Sequence, residues 1–351
     1  MMMTMADIRS RKRDHVESAR GKDVEYCLPA GFEDVRLVHQ PLPEMALSDV
    51  DMSCRLFGKK MAAPIMIVAI TGGYPDAERI NLALAAAAEE EGLAMGLGSQ
   101  RAMFEKPELL RTYKVRGVAP TIPLIGNIGG CQLAKYGVKK VREALDAVEA
   151  DALSIHLNPL QEICQPEGDH DFSGVLAQIR IFARDLGLPL IVKETGAGIS
   201  ADAAIALKKA GVKMIDVSGA GGTSWSKVEY ARSRKEPVFA DWGNPTCESV
   251  AACTDAVKGM GIIASGGVRS GLDAAKSIAL GADFAGAALP FLRAQEPALV
   301  AKEWKSDLKQ SMLLCGAKNA AQLKKAKLIV TGKTAESLAR MGIDAGKYAR
   351  R

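Results

Sequence analysis

The sequence lacks the features that mark exported, membrane-spanning and disulfide-stabilised proteins. It has seven cysteines, but they form no C-x-x-C pair, and an odd number argues against a disulfide framework. The most apolar early run, residues 61–70, is interrupted by Pro64 and is too short to cross a bilayer. The N-terminus is basic and has no apolar signal core. We therefore expect a cytoplasmic protein without a membrane or export segment.

The chain also lacks a strong excess of charge of one sign. Its formal net charge is only +5 over 351 residues, and its Lys and Arg residues are scattered. Such a balance gives no case for nucleic acid as a partner, although it is compatible with an anionic ligand. Apolar residues make up 48% of the chain and charged residues 25%, which excludes a mostly disordered protein and predicts a soluble globular one.

A strand followed by a helix recurs eight times along the chain. Because each predicted strand is apolar on both faces, the repeat predicts a (β/α)₈ TIM barrel of the α/β class rather than an open sheet. Residues 1–60 are predicted to form an N-terminal arm and flanking layer, and residues 61–351 the barrel with C-terminal helices, in a single domain overall. The predicted strands cover residues 64–70, 93–97, 123–128, 152–157, 188–192, 212–217, 262–264 and 283–288.

Two segments between these elements call for interpretation. Residues 218–243 form a long glycine- and serine-bearing loop, a kind of loop that usually has a function. Residues 196–201 fit the dinucleotide pattern G-x-G-x-x-A, but three residues separate the first glycine from the strand. The eight-fold count makes this segment the fifth unit of a barrel, so we interpret it as a loop and not as a nicotinamide site.

Polar residues stand at nearly every predicted strand end. In a TIM barrel the carboxyl ends of the strands surround the active site, so these side chains should converge. They are Thr71, Ser99, Asn127, His156, Lys193, Ser218 and Gly267.

The densest polar stretch is residues 156–162, which follow the fourth predicted strand. Pro159 stops the strand from continuing because it lacks a backbone donor. Two interpretations remain open from the residues alone. One is a strand-to-helix turn in which His156 is satisfied by backbone and Asn158 caps the helix. The other is a set of functional side chains aimed into a pocket.

The seventh strand ends in a glycine pair suited to binding phosphate. Gly266 and Gly267 let the backbone approach a phosphate closely, the next helix points its N-terminal amides toward it, and Arg269 can add positive charge. Together with Lys193 at the mouth, these residues suit flavin mononucleotide (FMN), because a cation near the ring stabilises the anionic reduced flavin.

Seven motifs resemble those of type II isopentenyl-diphosphate isomerases. They are Arg11-Lys12-x-Asp14-His15, Ala69-Ile70-Thr71-Gly72-Gly73, Gly98-Ser99-Gln100-Arg101, His156-Leu157-Asn158-Pro159-Leu160-Gln161-Glu162, Val192-Lys193-Glu194, Gly221-Gly222-Thr223-Ser224-Trp225 and Ser265-Gly266-Gly267-Val268-Arg269. The resemblance implies an FMN- and Mg²⁺-dependent enzyme that interconverts isopentenyl and dimethylallyl diphosphates. It also implies that the flavin must be reduced, although no net redox change occurs.

The resemblance assigns roles to individual positions. With the glycine pair described above, the flavin-binding set is Ala69, Ile70, Thr71, Ser99, Asn127, Lys193, Ser218, Thr223, Gly266, Gly267, Arg269, Ala287 and Ala288. The substrate-binding set is Arg11, Lys12, Ser99, Gln100, Arg101, His156, Asn158 and Gln161, and the Mg²⁺ ligand is Glu162. The catalytic candidates are Gln161, His156 and Lys193.

The substrate explains why these residue types are needed. Arg101, His156 and the arm's Arg11 and Lys12 can pair with phosphate oxygens, and one carboxylate, Glu162, suffices because Mg²⁺ takes its other ligands from phosphate and water. No Asp or Glu of the assigned set is left as an acid-base, so we expect the reduced flavin to shuttle the proton, with Gln161 positioning the alkene or a water. NADPH or another reductant would reduce the flavin. We also expect a homo-oligomer, a tetramer or an octamer.

Rival functions lack residues that they need. A 2-hydroxy-acid oxidase or dehydrogenase requires a histidine base late in the barrel, but no histidine follows His170. An inosinate dehydrogenase-like barrel requires a cysteine nucleophile in the loop after the sixth strand, where this chain has Thr223, Ser224 and Trp225. A non-catalytic barrel that binds a partner would purify without a yellow chromophore.

Overall fold

The computed structural model describes residues 16–17, 24–233 and 236–351. Its strands within those ranges are β1 (Val35–Leu37), β2 (Cys54–Leu56), β3 (Lys59–Met61), β4 (Ile65–Ile67), β5 (Ala94–Gly96), β6 (Leu124–Gly129), β7 (Ala152–His156), β8 (Leu190–Lys193), β9 (Met214–Asp216), β10 (Gly261–Ala264), β11 (Phe284–Ala287) and β12 (Leu328–Val330).

Strands β4 to β11 form a closed, parallel barrel in sequence order. The barrel closes where β11 pairs with β4, with Ala285 opposite Ile65 and Ala287 opposite Ile67. All eight predicted barrel strands are present, so the predicted TIM barrel is confirmed. The first strand is shorter than predicted, because β4 ends at Ile67 and the following residues 68–70 line a cavity instead.

Helices alternate with the barrel strands and cover their outer faces. The α-helices are Ala77–Glu91, Arg101–Glu105, Leu133–Ala147, Pro159–Cys164, Val175–Asp185, Ala201–Lys209, Trp225–Ser233, Thr246–Ala256, Gly271–Leu280, Leu289–Arg293, Pro297–Leu314, Ala320–Leu323 and Gly332–Arg340. Single 3₁₀ turns or short 3₁₀ helices lie at Phe32–Asp34, Leu47–Asp49, Pro107–Tyr113, Gly130–Gln132 and Ala345–Tyr348.

Three of these helices refine the predictions. The segment predicted as a long loop, residues 218–243, contains the helix Trp225–Ser233. The helix Thr246–Ala256, which precedes β10, was not predicted. The sequence also predicts a helix over residues 138–149. The observed helix, Leu133–Ala147, begins and ends earlier and is interrupted at Gly137 with a φ of 69°.

Residues 26–60 have no sustained period in the sequence and are predicted to be irregular. The structure has β2 and most of β3 there, paired as a hairpin, so this prediction is wrong for that part. The strands pair antiparallel, with Cys54 opposite Met61, and the turn has positive φ at Phe57 and Gly58. Buried Leu56 and Met61 pack with apolar residues from the barrel strands, including Met66, Ala94, Ile125, Ala152, Ile191, Ile263 and Phe284. The hairpin therefore contributes to the apolar core inside the barrel, and its three-residue strands are too short to show a clear period.

The C-terminal part contains a strand where only helices were predicted. Strand β12 pairs antiparallel with β1, and Val35 lies opposite Val330. This small sheet joins the two ends of the described chain outside the barrel. All seven cysteines are free thiols, and none of the helices in the described ranges is long and apolar enough to cross a membrane.

Candidate active site

A cavity of about 510 Å³ lies at the carboxyl ends of the barrel strands, within the size range of small-molecule sites. Most residues assigned from the sequence line it. These are Ala69, Ile70, Thr71, Ser99, Arg101, Asn127, His156, Asn158, Gln161, Glu162, Lys193, Ser218, Thr223, Gly266, Gly267, Arg269, Ala287 and Ala288. The predicted convergence of the polar strand ends is therefore present in the structure.

Among the assigned residues that the structure describes, Gln100 is not in this lining. Gln100 is buried behind it, where its side-chain Oε1 accepts a hydrogen bond from the Asn127 backbone N–H at 2.9 Å. Its contact with the substrate stays a prediction, while its visible effect is to fix the end of β6. Arg11 and Lys12 lie outside the described residues.

The glycines at the seventh strand end form a cradle that side chains would fill. Gly266 and Gly267 have φ values of 93° and 70°, which favour glycine. A Cβ on Gly267 would lie 2.6 Å from the Gly221 carbonyl oxygen, and a Cβ on Gly222 would lie 2.5 Å from the Gly267 nitrogen. Thr246 ties the cradle to the preceding helix, Thr246–Ala256, since its Oγ1 donates to the Gly266 carbonyl at 2.6 Å. The cradle fits a phosphate group approaching backbone amides.

Arg269 braces this cradle. Its guanidinium donates to the carbonyl oxygens of Gly267 at 3.0 Å and Gly221 at 2.9 Å. It also forms an ion pair with Glu25, which Arg293 joins from the other side at 2.9 Å. Arg269 thus holds two glycine loops together in addition to placing positive charge beside the cradle.

A buried carboxylate links the neighbouring strand ends. Asp216 Oδ1 accepts hydrogen bonds from the Ser265 hydroxyl at 2.6 Å and the Ser218 backbone N–H at 3.2 Å. Burial raises the pKa of Asp216, while the charge of Lys193 opposes that rise. Ser218 itself has a φ of 41°, a strained value for a non-glycine residue. Asp216 therefore holds Ser218 and Ser265 in place beside the ammonium of Lys193.

His156 is oriented by a neighbouring strand. Its Nδ1 lies 2.9 Å from the Asn127 Oδ1. Because an amide oxygen only accepts hydrogen bonds, Nδ1 is the donor of this pair.

The stretch after β7 is a set of interlocked side chains. Asn158 precedes the helix Pro159–Cys164, and its amide donates to Glu162 Oε1 at 2.8 Å and to Gln161 Oε1 at 3.4 Å. The second Glu162 oxygen accepts from the Asp169 backbone N–H at 2.9 Å. Asn158 therefore orients the assigned metal ligand, which favours the functional interpretation of residues 156–162 over that of a capping turn.

Gln161 is held by an acidic partner that the sequence did not reveal. Its Nε2 donates to Glu229 Oε1 at 3.1 Å. Glu229 is fully buried and pairs with Arg232, which also reaches Glu167 at 3.0 Å. The sequence did not indicate this contact, because Glu229 lies 68 residues beyond Gln161. It also lies in a helix that was predicted to be a loop.

The backbone amides of the dinucleotide-like segment are bonded to a side chain of the same loop. The Glu194 carboxylate accepts hydrogen bonds from the backbone N–H groups of Thr195 and Gly196 at 2.6 Å and from that of Ala197. The amides that would cradle a pyrophosphate are therefore already bonded. Burial raises the pKa of Glu194 to about 7, against the effect of these three bonds and of Lys193.

Further residues line the cavity without having been assigned. They include Val16, Glu25, Gln132, Gln165, Thr195, Gly196, Trp225, Leu289, Pro290, Leu292 and Arg293. Most of them belong to segments away from the strand ends. The folded structure brings these segments to the mouth of the barrel. Among the described residues, the Nε of Arg101 is a buried atom without a hydrogen-bond partner, although it forms an ion pair with Glu105 at 3.5 Å.

No cluster of three or more His, Cys, Asp or Glu side chains suited to a metal occurs in the described part of the chain. A protein-only metal cage is therefore not present there. A single carboxylate fits Mg²⁺ only where phosphate and water supply the remaining oxygens.

The site can now be compared with known proteins. The family model of FMN-dependent dehydrogenases matches residues 137–330. Among solved structures, mandelate oxidase with (S)-2-phenylpropionate aligns with a TM-score of 0.66 and 19% identity over 94% of this chain and 99% of that one. Lactate oxidase of Pediococcus acidilactici aligns with a TM-score of 0.63 and 17% identity over 91% and 87%. At such identities these structures show a shared fold.

The curated relatives are much closer in sequence. The isopentenyl-diphosphate delta-isomerase of Methanothermobacter thermautotrophicus is 45% identical over 98% of this chain and 99% of its own length. That of Pyrococcus furiosus is 44% identical over 92% and 86%. Identity at this level over nearly the whole length shows that the chain belongs to the isopentenyl-diphosphate delta-isomerase family.

Proposed function

We propose that this protein interconverts isopentenyl and dimethylallyl diphosphates, with reduced FMN in the barrel mouth and Mg²⁺ on the substrate diphosphate. The observation that carries the proposal is a cavity with two separate regions whose residues suit anions. The glycine cradle of Gly266 and Gly267 lies at the end of β10, whereas Arg101 and His156 follow β5 and β7. In the barrel order these strands are separated on one side by β11 and β4. One region suits the flavin phosphate and the other the diphosphate.

At the diphosphate region, the chain supplies charge and one metal ligand. The guanidinium of Arg101 and the ring of His156 line this region and would donate to phosphate oxygens. Glu162 would bind Mg²⁺ through a carboxylate that Asn158 and the Asp169 backbone hold in place. Arg11 and Lys12 are proposed to pair with the same diphosphate.

At the alkene end, the substrate needs a positioned proton donor and acceptor. Reduced FMN supplies that acid-base group when it is bound. Lys193, which lines the cavity from β8, would place a cation beside the ring and favour its anionic form. Gln161, fixed by Glu229 and Asn158, would orient the alkene or a water molecule. Water exclusion follows from the apolar lining residues Ile70, Leu289 and Pro290.

We further propose a cytoplasmic homo-oligomer, a tetramer or an octamer, whose flavin is reduced by NADPH or another reductant. The bonded amides of residues 195–197 argue that the reductant does not use the dinucleotide-like segment. A diffusing reductant would approach the flavin from the cavity mouth instead.

Anaerobic turnover of isopentenyl diphosphate tests the proposed function. The full reaction contains FMN, Mg²⁺ and a reductant, and each is omitted in turn. We expect product only when all three are present, and no oxidation of lactate or mandelate. Activity without FMN would refute the proposal, and full activity with 5-deaza-FMN would remove the flavin from the acid-base step.

A further inference from the structure

A short strap closes the phosphate region of the cavity. The strap is residues 24–26, which run antiparallel to residues 222–224 of the long insertion. The Tyr26 N–H donates to the Gly222 carbonyl at 2.9 Å, and the Ser224 N–H donates to the Val24 carbonyl at 2.7 Å. Glu25 forms a bridge with Thr223. These bonds fix the strap against the loop that forms the glycine cradle.

The side chain of Glu25 lies between two arginines at this end. Its carboxylate pairs with Arg269 through one oxygen and with Arg293 at 2.9 Å through the other. All three side chains line the cavity. Lys227 also holds the backbone of the strap, since its Nζ donates to the Glu25 carbonyl at 2.6 Å. The carboxylate of Glu25 is therefore held by two arginines, and its backbone by Lys227.

Glu25 carries a negative charge at neutral pH. Burial alone would raise its pKa, but the hydrogen bonds and charges of Arg269 and Arg293 together lower it below its ordinary value. Two arginines and one glutamate leave this end with a single positive charge. Such a site suits one phosphate group next to the glycine cradle, because Glu25 balances one arginine charge and leaves only one for an anion.

We propose that Glu25 determines the flavin specificity of this protein by rejecting flavins that are extended beyond the first phosphate. In FAD a second phosphate and an adenosine are attached to the phosphate of FMN. These groups would have to pass the strap, where they would meet a carboxylate of like charge whose arginines are already engaged. Rejection through an unfavourable contact is a common source of specificity. The inference rests on the proposed use of FMN and names the residue that enforces it.

The test measures flavin binding to the full-length chain after its flavin has been removed. Quenching of flavin fluorescence gives Kd for FMN, FAD and riboflavin. The variants are Glu25→Gln, which keeps the shape and removes the charge, and Glu25→Ala, which also opens space. The control is Glu91→Gln, a partly buried glutamate paired with Lys305 at 2.6 Å on an outer helix.

We expect the ratio of Kd for FAD to Kd for FMN to fall at least about tenfold in Glu25→Ala, which corresponds to about 1.4 kcal/mol. Glu25→Gln should give a smaller fall, and Glu91→Gln none. Riboflavin has no phosphate, so its affinity should not change in any variant.

Three results would overturn the inference. An unchanged ratio in both Glu25 variants would show that the carboxylate does not select the flavin. If the Kd for riboflavin changed in the Glu25 variants as much as the Kd for FAD, Glu25 would have a purely structural role. If the Glu25 variants changed KM for the substrate but not the ratio of Kd for FAD to Kd for FMN, Arg269 and Arg293 would bind the substrate diphosphate instead. If the unaltered protein did not bind FMN, the proposed cofactor itself would be wrong. This outcome differs from the three above, in which FMN binds but Glu25 does not select it.

Discussion

Replacing Gly267 with alanine should damage both stability and flavin binding. Gly267 has a φ of 70°, and its new Cβ would lie 2.6 Å from the Gly221 carbonyl oxygen and 2.7 Å from the Ala30 Cβ. A non-glycine residue in this backbone region costs about 1–3 kcal/mol, and overpacking adds about 1–3 kcal/mol. We expect a loss of about 3 kcal/mol, because the atoms in the way include backbone that cannot rotate aside.

The chain offers a matched control for the backbone part of this cost. Gly58, in the turn between β2 and β3, has a φ of 82°, but a Cβ there would meet nothing within 4 Å. Gly58→Ala should therefore cost only about 1 kcal/mol from backbone strain and leave flavin affinity unchanged. The difference between the two variants isolates the collision at the cradle.

Thermal unfolding and FMN titration are the assays. The entropy of unfolding for 351 residues is about 0.7 kcal/mol per kelvin, so about 3 kcal/mol lowers Tm by about 4 °C. FMN binding should weaken at least about tenfold in Gly267→Ala, since the shifted loop no longer presents its amides to a phosphate. Equal Tm values for the two variants, together with unchanged FMN affinity, would refute the cradle.

Three further predictions concern charged groups of the site. Glu162→Gln should raise the Mg²⁺ concentration needed for half-maximal turnover about 10–100-fold. It should also lower Tm slightly, because glutamine keeps only one of the two acceptor oxygens that bond Asn158 and the Asp169 backbone; an unaltered Mg²⁺ titration would exclude Glu162 as the ligand. Lys193→Met should make the potential of bound FMN more negative by about 30 mV or more, since the anionic reduced ring loses its cation; a spectroelectrochemical titration that finds no shift would remove Lys193 from this role. Burial raises the pKa of Glu194 from 4.5 to about 7, so its contribution to stability is fully present below about pH 4.5 and is lost as the pH rises through about 7. Glu194→Gln should accordingly gain stability relative to the unaltered protein between about pH 5 and about pH 8, by up to about 3 kcal/mol, in urea unfolding series; parallel pH profiles would contradict this.

The barrel could be predicted because its signal is local and repeated. Eight apolar strands separated by helices leave few alternatives once the strands are parallel. The hairpin of β2 and β3 and the pairing of β1 with β12 could not be predicted in the same way. Their three-residue strands are too short to show periodicity, and β1 and β12 are about 290 residues apart, so only the closed barrel brings them together.

Some parts of the candidate site could likewise be predicted from the sequence and others could not. Residues at the strand ends could be named in advance, because a barrel places every such end at one mouth. The partners of those residues could not. Glu229 contacts Gln161 from a helix, and Glu25 lies between Arg269 and Arg293 on a strap. The positions of this helix and of the strap depend on packing.

The sequence by itself determined the barrel, the polar ring at its mouth and the glycine pair that suits a phosphate, since each depends on residue type and spacing along the chain. Only the tertiary structure decided which side chains hold them in position. It turned Gln100 behind the cavity, bonded the amides of residues 195–197 to Glu194 and set Asn158 against Glu162. The physical reason is that hydrogen bonds and ion pairs act over a few ångströms in space, a distance that sequence separation does not measure.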